Sequence, residues 1–233
     1  MDDGDEGDRF ADAIRILLLI AAVAEELDPA AAASAPRGAV AVLYAEGRLQ
    51  KLDFWLRNPD YLADELLNDY ERCLTDVEER AHAPILLDLA GEILDSDEPE
   101  VCSIPMVRYL FGAFESLDRT LSVLVAPRLL VVTQRRTAHR VLQDNYYLTE
   151  RGREVAAQAT AQFPELRWYT ERALLVKALA DGSGHSALAL RRRQYLQRDY
   201  AETPLKEVIP SIAARARARL AQLRAADVEE PVA

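Results

Sequence analysis

The sequence predicts a mainly helical protein of 233 residues, and three observations predict it. Apolar residues recur at helical spacing along most of the chain. Proline, asparagine, serine and threonine punctuate that pattern where helices should start or stop. One pair of β-branched and aromatic runs, Leu129 to Thr133 and Tyr146 to Thr149, breaks it, with Arg135, Arg136 and Arg140 between them. Two strands around a charged tip, followed by a helix, read as the wing of a winged helix. The expected architecture is an acidic helical domain over 1–96, a winged helix-turn-helix domain with a two-stranded wing over 101–163, and a basic C-terminal helical extension over 164–233.

Each element has its own reason. Phe10, Ile14, Leu17, Leu18, Ala21 and Leu27 give a first helix from about Asp8 to Leu27 with one wide apolar face. Asp28-Pro29 ends it, and the alanine-rich stretch to Pro36-Arg37-Gly38 reads as a connection to a short element at Ala39 to Tyr44. Leu49, Leu52, Phe54, Trp55 and Leu56 form an apolar helix that stops near Arg57. There Asn58 can cap a new helix with Pro59 at its first position, which Tyr61, Leu62, Glu65 and Leu66 continue. Thr75-Asp76-Val77-Glu78 fits a capping box that opens another helix, interrupted at Pro84 and carried on by Ile85, Leu86, Leu89 and Ile93.

The acidic stretch from Asp95 to Glu100 has almost nothing to bury and marks a boundary. Beyond it, Ser103 caps a helix through Phe114, and Ser116 caps a second from Leu117 to Ala126, stopped by Pro127. Helix, turn, helix, strand, wing, strand is the winged helix-turn-helix order. Thr149 caps the helix from Glu150 to about Gln162, and another follows from about Pro164 to Ala180. After the turn at Asp181 to Gly184 come a basic helix around Arg191 to Tyr195 and a last helix opened by Thr203-Pro204, kinked at Pro210 and running through Arg215, Arg217 and Arg219.

Chemistry is hard to place on these elements. His82, His139 and His185 are isolated from one another and from Cys73 and Cys102, so metal spacing is absent and the cysteines read as buried free thiols. His185-Ser186 lies in a glycine-flanked loop without a nucleophile elbow or a phosphate-cradling strand. Asp64-Glu65 and Glu78-Glu79 read as solvated helix faces rather than acid–base pairs. The expectation is a protein that is not an enzyme and carries no cofactor. The longest apolar run, Ile16 to Ala24, is about half of the roughly 20 residues a membrane span needs. The acidic start, Met1 to Glu6, is the opposite of a secretory signal, which places the chain in the cytoplasm as an expectation.

Charge points to binding. The net charge is −11; residues 1–100 hold 25 Asp+Glu against 8 Lys+Arg, and residues 101–233 hold 14 against 20. Contact with nucleic acid is therefore expected in the second half only. The helix that would read bases, Ser116 to Val125, carries Arg119 as its only base, while Leu121, Val123 and Leu124 want a dry surface. It suits protein packing better than base readout. Arg135, Arg136 and Arg140 of the wing, with Arg191, Arg192 and Arg193, suit a phosphate backbone. The candidates for protein contact are Phe54, Trp55, Tyr61, Leu121 and Leu124.

Three stretches carry a resemblance: Leu49 to Leu62 with its Arg57-Asn58-Pro59 break, Met106 to Gly112, and Tyr146 to Gly152. Together they resemble the middle component of ABC-three-component systems, the group that includes the small subunit of Lamassu anti-phage complexes. Gly112-Ala113-Phe114-Glu115 departs from that family, in which a Gly-Pro-Trp-like turn is expected, so Phe114 takes the tryptophan's place. The resemblance implies a non-catalytic winged-helix adaptor in a bacterial antiviral defence complex, joining an SMC-like or Rad50-like ATPase that senses foreign DNA to an effector subunit. The competing expectation is a free-standing winged-helix transcription regulator acting as a homodimer, which needs a basic recognition face.

Overall fold

A computed structural model describes residues 3–96, 106–109, 112–114, 117–182 and 187–229. Of these, 68% are helical and 14% lie in strands, so the chain is mainly helical. In order, the elements are α1 (Asp3–Val23), β1 (Glu25–Glu26), α2 (Pro29–Ser34), β2 (Ala39–Tyr44), α3 (Glu46–Arg57), α4 (Pro59–Thr75), α5 (Ala83–Asp95), β3 (Val107–Tyr109), β4 (Gly112–Phe114) and α6 (Asp118–Val125). There follow β5 (Leu130–Arg136), β6 (Val141–Thr149), α7 (Glu150–Gln162), α8 (Arg167–Gly182), α9 (Ala187–Leu196), α10 (Arg198–Glu202) and α11 (Ala213–Glu229).

Much of the punctuation works as its chemistry dictates. The Asp28 carboxylate accepts from the Ala31 amide at 2.7 Å and Pro29 opens α2. Pro59 opens α4, although the Asn58 side chain makes no cap bond. The Thr149 hydroxyl accepts from the Gly152 amide at 3.0 Å, capping α7.

Other expectations are corrected. Thr75 closes α4 instead of opening a helix: its hydroxyl donates to the Arg72 carbonyl at 2.7 Å, because the buried stripe of α4 continues through Tyr70 and Cys73. Pro84 lies in the first turn of α5, where its missing amide costs nothing, and does not interrupt a helix. The helix expected from Ser103 to Phe114 is not formed where the chain is described, since β3 and β4 occupy 107–109 and 112–114; Ser103 and Ser116 lie outside the described residues. Backbone partners explain the change. Val107 bridges Val208, the Arg108 amide donates to the Glu207 carbonyl at 2.9 Å, and the Ile209 amide donates to the Met106 carbonyl at 2.9 Å. The chain turns at 204–207, where the Lys206 amide donates to the Arg108 carbonyl at 2.7 Å and the Glu207 amide to the Pro204 carbonyl at 3.2 Å, and 208–209 then run beside 106–107, so the last helix begins at Ala213 rather than Thr203.

The chain forms two compact units, each made of two stretches: residues 1–54 with 111–191, and residues 55–110 with 192–233. These boundaries differ from a linear division near 96–101 and 163–164. In the first unit a four-stranded antiparallel sheet has the order β1-β2-β6-β5. Helix α1 packs on α6, α7, α8, β2 and β6. Ile16 to Ile20 are therefore all buried, whereas Phe10 and Ile14, expected on the core face, are exposed. Arg15 is fully buried within this unit, its Nε 2.9 Å from the Asp53 carboxylate and its Nη1 against Asp12. In the second unit α4 and α5 pack together and α11 lies on both.

Candidate nucleic-acid interface

β5 and β6 pair from Leu130↔Leu148 to Arg136↔Val141, with a bulge at Arg135/Arg136. β2 accompanies β6 only as far as Tyr44↔Asn145, where the Ala45 amide turns in to the Asp144 carbonyl at 2.9 Å. Beyond that point the two strands run on without a third, as a ribbon that projects roughly 10 Å at strand rise before its turn. The turn is stapled by Thr137, whose amide donates to the Arg140 carbonyl at 2.9 Å and whose hydroxyl accepts from the Arg140 amide at 3.2 Å. Residues 134–142 are all exposed.

Arg135 and Arg136 are thus strand residues and Arg140 closes the turn. None of the three guanidiniums meets a carboxylate among the described residues. Other arginines of the chain are engaged. Arg193, expected to face phosphate, is half-buried with Nε 2.7 Å from Glu65 and Nη2 2.7 Å from Asp69. Arg191 is half-buried beside Lys51, and Arg192 is exposed on the same helix. The six arginines therefore do not act as one set, and Arg193 is a structural ion-pair residue.

Two other expectations change here. Asp64 and Glu65 are not a solvated face but are 2% and 1% exposed, the hub of the second unit. Asp64 accepts from Arg215 at 3.2 Å and from Arg219 at 2.9 Å, and Glu65 accepts from Arg193 and, at 2.8 Å, from Gln197. Burial raises the Glu65 pKa, against the pull of Arg193 and Gln197. Of the candidate protein-contact residues, Phe54, Trp55, Tyr61 and Leu124 are core side chains, and Leu121 is half-buried. The Tyr61 hydroxyl donates to the Pro210 carbonyl at 3.0 Å. A strongly apolar helix face signals burial; it does not say against what.

Pairing also redistributes charge. The first unit holds 19 Asp+Glu against 16 Lys+Arg and the second 20 against 12, so neither keeps the basic excess of residues 101–233. Around the N-terminus of α6 stand Glu46, Asp118 and Asp144; burial raises the Glu46 pKa, and Asp144 and Asp118 raise it further. Helical periodicity does not reveal that grouping, because the three lie on separate elements. On α6 itself Asp118, Arg119, Ser122 and Val125 face outward. Among the described residues no group of His, Cys, Asp and Glu could hold a metal ion, and no helix is long and apolar enough to cross a membrane. Cys73 is a buried free thiol, and Cys102 lies outside the described residues.

Comparisons with protein-family models, with curated proteins and with solved structures give no match.

Proposed function

We propose that the chain is a non-catalytic adaptor built on an interrupted winged helix, joining an SMC-like or Rad50-like ATPase to an effector subunit in a bacterial anti-phage complex. The observation that carries the winged-helix part is chain order. A winged helix runs helix, strand, helix, helix, strand, wing, strand, with the first strand paired to the last. α1, β2, α3, α6, β5 and β6 follow that order, and the sheet order β2-β6-β5 fits it. In this reading α3 replaces the 103–114 helix as the first of the pair, and residues 55–110 enter where an ordinary motif has a short turn.

An adaptor role fits the chemistry of α6. A recognition helix enters the major groove by its N-terminal residues, and here that end carries three carboxylates that repel phosphates. The resemblance in residues 49–62, 106–112 and 146–152 supplies the identity of the partners. The test is to co-express the full chain with the products of the adjacent genes and purify through a tag on this chain. Recovery of a stoichiometric complex with an ATPase bearing coiled-coil arms is expected. A lone homodimer with nanomolar affinity for one DNA sequence, lost on changing Arg119, would instead establish the transcription regulator.

A further inference from the structure

We propose that the β5–β6 ribbon, and not α6, docks on duplex nucleic acid, through phosphate contacts made by Arg135, Arg136 and Arg140. The proposal rests on the winged-helix reading only in setting α6 aside; the ribbon's own geometry carries the rest. It projects past β2, its turn is fixed by Thr137, and its residues 134–142 contain three arginines and no carboxylate. Asp144 at its base is occupied by the Gln134 amide at 2.8 Å. Side chains alternate along each strand, which sets Arg135 and Arg136 on opposite faces of the ribbon, and the register shift beside them, Arg135↔Gln143 to Arg136↔Val141, leaves the extra residue, Leu142, on β6.

A two-stranded ribbon fits a major groove about 12 Å wide. Duplex is favoured over single strands because residues 134–142 contain no Phe, Tyr or Trp on which unpaired bases could stack. Val141 and Leu142, each 41% exposed, leave apolar surface beside the arginines that offers no hydrogen-bonding side chain to base edges. Glu46, Asp118 and Asp144 near the base of the ribbon confine favourable contact to its tip. Three arginines then set the number of phosphates neutralised at about three.

The test is fluorescence anisotropy of the full chain with several unrelated duplexes across a salt series. The logarithm of the binding constant should fall with the logarithm of salt at a slope of about −2.7, with dissociation constants on the order of 10⁻⁴ to 10⁻⁶ M at physiological salt. Each single Arg→Ala change should flatten the slope by about 0.9. The triple variant should lose binding to every duplex alike while keeping its circular dichroism spectrum. Asp118→Asn should tighten binding several-fold, an effect that misfolding cannot mimic. Unchanged slope in the triple variant, no wild-type binding at low salt, or tighter binding to a poly-glutamate peptide than to duplex would overturn the proposal. Loss of DNA binding with retention of the ATPase complex separates failure of the ribbon from failure of the adaptor.

Discussion

Lys51 is a cation held in an environment that opposes its charge. It is 5% exposed in the first unit, and burial together with the charge of Arg191 pushes its amine down to about 8. The unfolded chain holds this proton up to roughly pH 10.4, so between about 8 and 10.4 the unfolded state binds more protons and stability rises with pH. Below pH 8 the buried charge costs stability in full. Lys51→Met should be more stable than wild type at pH 7, by on the order of 1–3 kcal/mol, with the gap closing toward pH 10. Urea unfolding at both pH values reads it, and a gap independent of pH would contradict the assignment. Arg15 is the opposite case. Burial works against its charge, but Asp53 and Asp12 outweigh it and raise its pKa. Arg15→Leu should cost about 3–5 kcal/mol by stranding Asp53, and Arg15→Leu with Asp53→Leu should recover most of that loss. If the double variant is no more stable than the single, the cost lies in packing rather than stranded charge.

At the scale of elements, the junction of β5, β6 and α7 was legible because its chemistry is local. Thr149 caps the helix, donates its proton to the Arg128 carbonyl at 2.7 Å, and accepts from Gly152. Gly152 is there for space: a Cβ would lie 2.1 Å from the Leu129 carbonyl oxygen, a backbone atom with no freedom to retreat. Gly152→Ala should therefore destabilise by about 1–3 kcal/mol in thermal or denaturant unfolding, where Thr149→Ala should cost about 1 kcal/mol. A neutral Gly152→Ala would mean that β5 can shift away from α7. The segment from Ser103 to Phe114 was misread for the opposite reason. Its apolar spacing suits a helix, but the partners that hold its described backbone extended, Glu207 and Ile209, lie about a hundred positions away. The type of the short element at Ala39 to Tyr44 is set by its pairing with β6, a partner about a hundred residues away. The strands also run beyond their apolar runs, since Arg135 and Arg136 extend β5 by ladder bonds that composition does not announce.

At the scale of the molecule, the exposure of Arg135, Arg136 and Arg140 is legible in the sequence because isolated like charges at a strand tip have few ways to be hidden. The environment of Asp64, Glu65 and Arg193 is not, because carboxylates neutralised by remote arginines look in sequence like any solvated helix face. The discontinuity of the first unit has a consequence for how the protein is made. Residues 1–54 leave the ribosome first, including the Ile16–Ile20 run that α6, α7 and α8 cover, yet those helices end only at Gly182. At about 5–20 residues per second, the 162 residues between Ile20 and Gly182 leave that run uncovered for roughly 8 to 32 s before its cover is synthesised. A fragment ending at residue 110 should accordingly bind a hydrophobic dye and unfold without a cooperative transition, whereas the full chain should not bind the dye; a cooperatively folding fragment would refute this. Translation of this chain thus passes through an interval in which the apolar run of α1 is available to nascent-chain chaperones, and pausing within residues 55–182 would lengthen that interval.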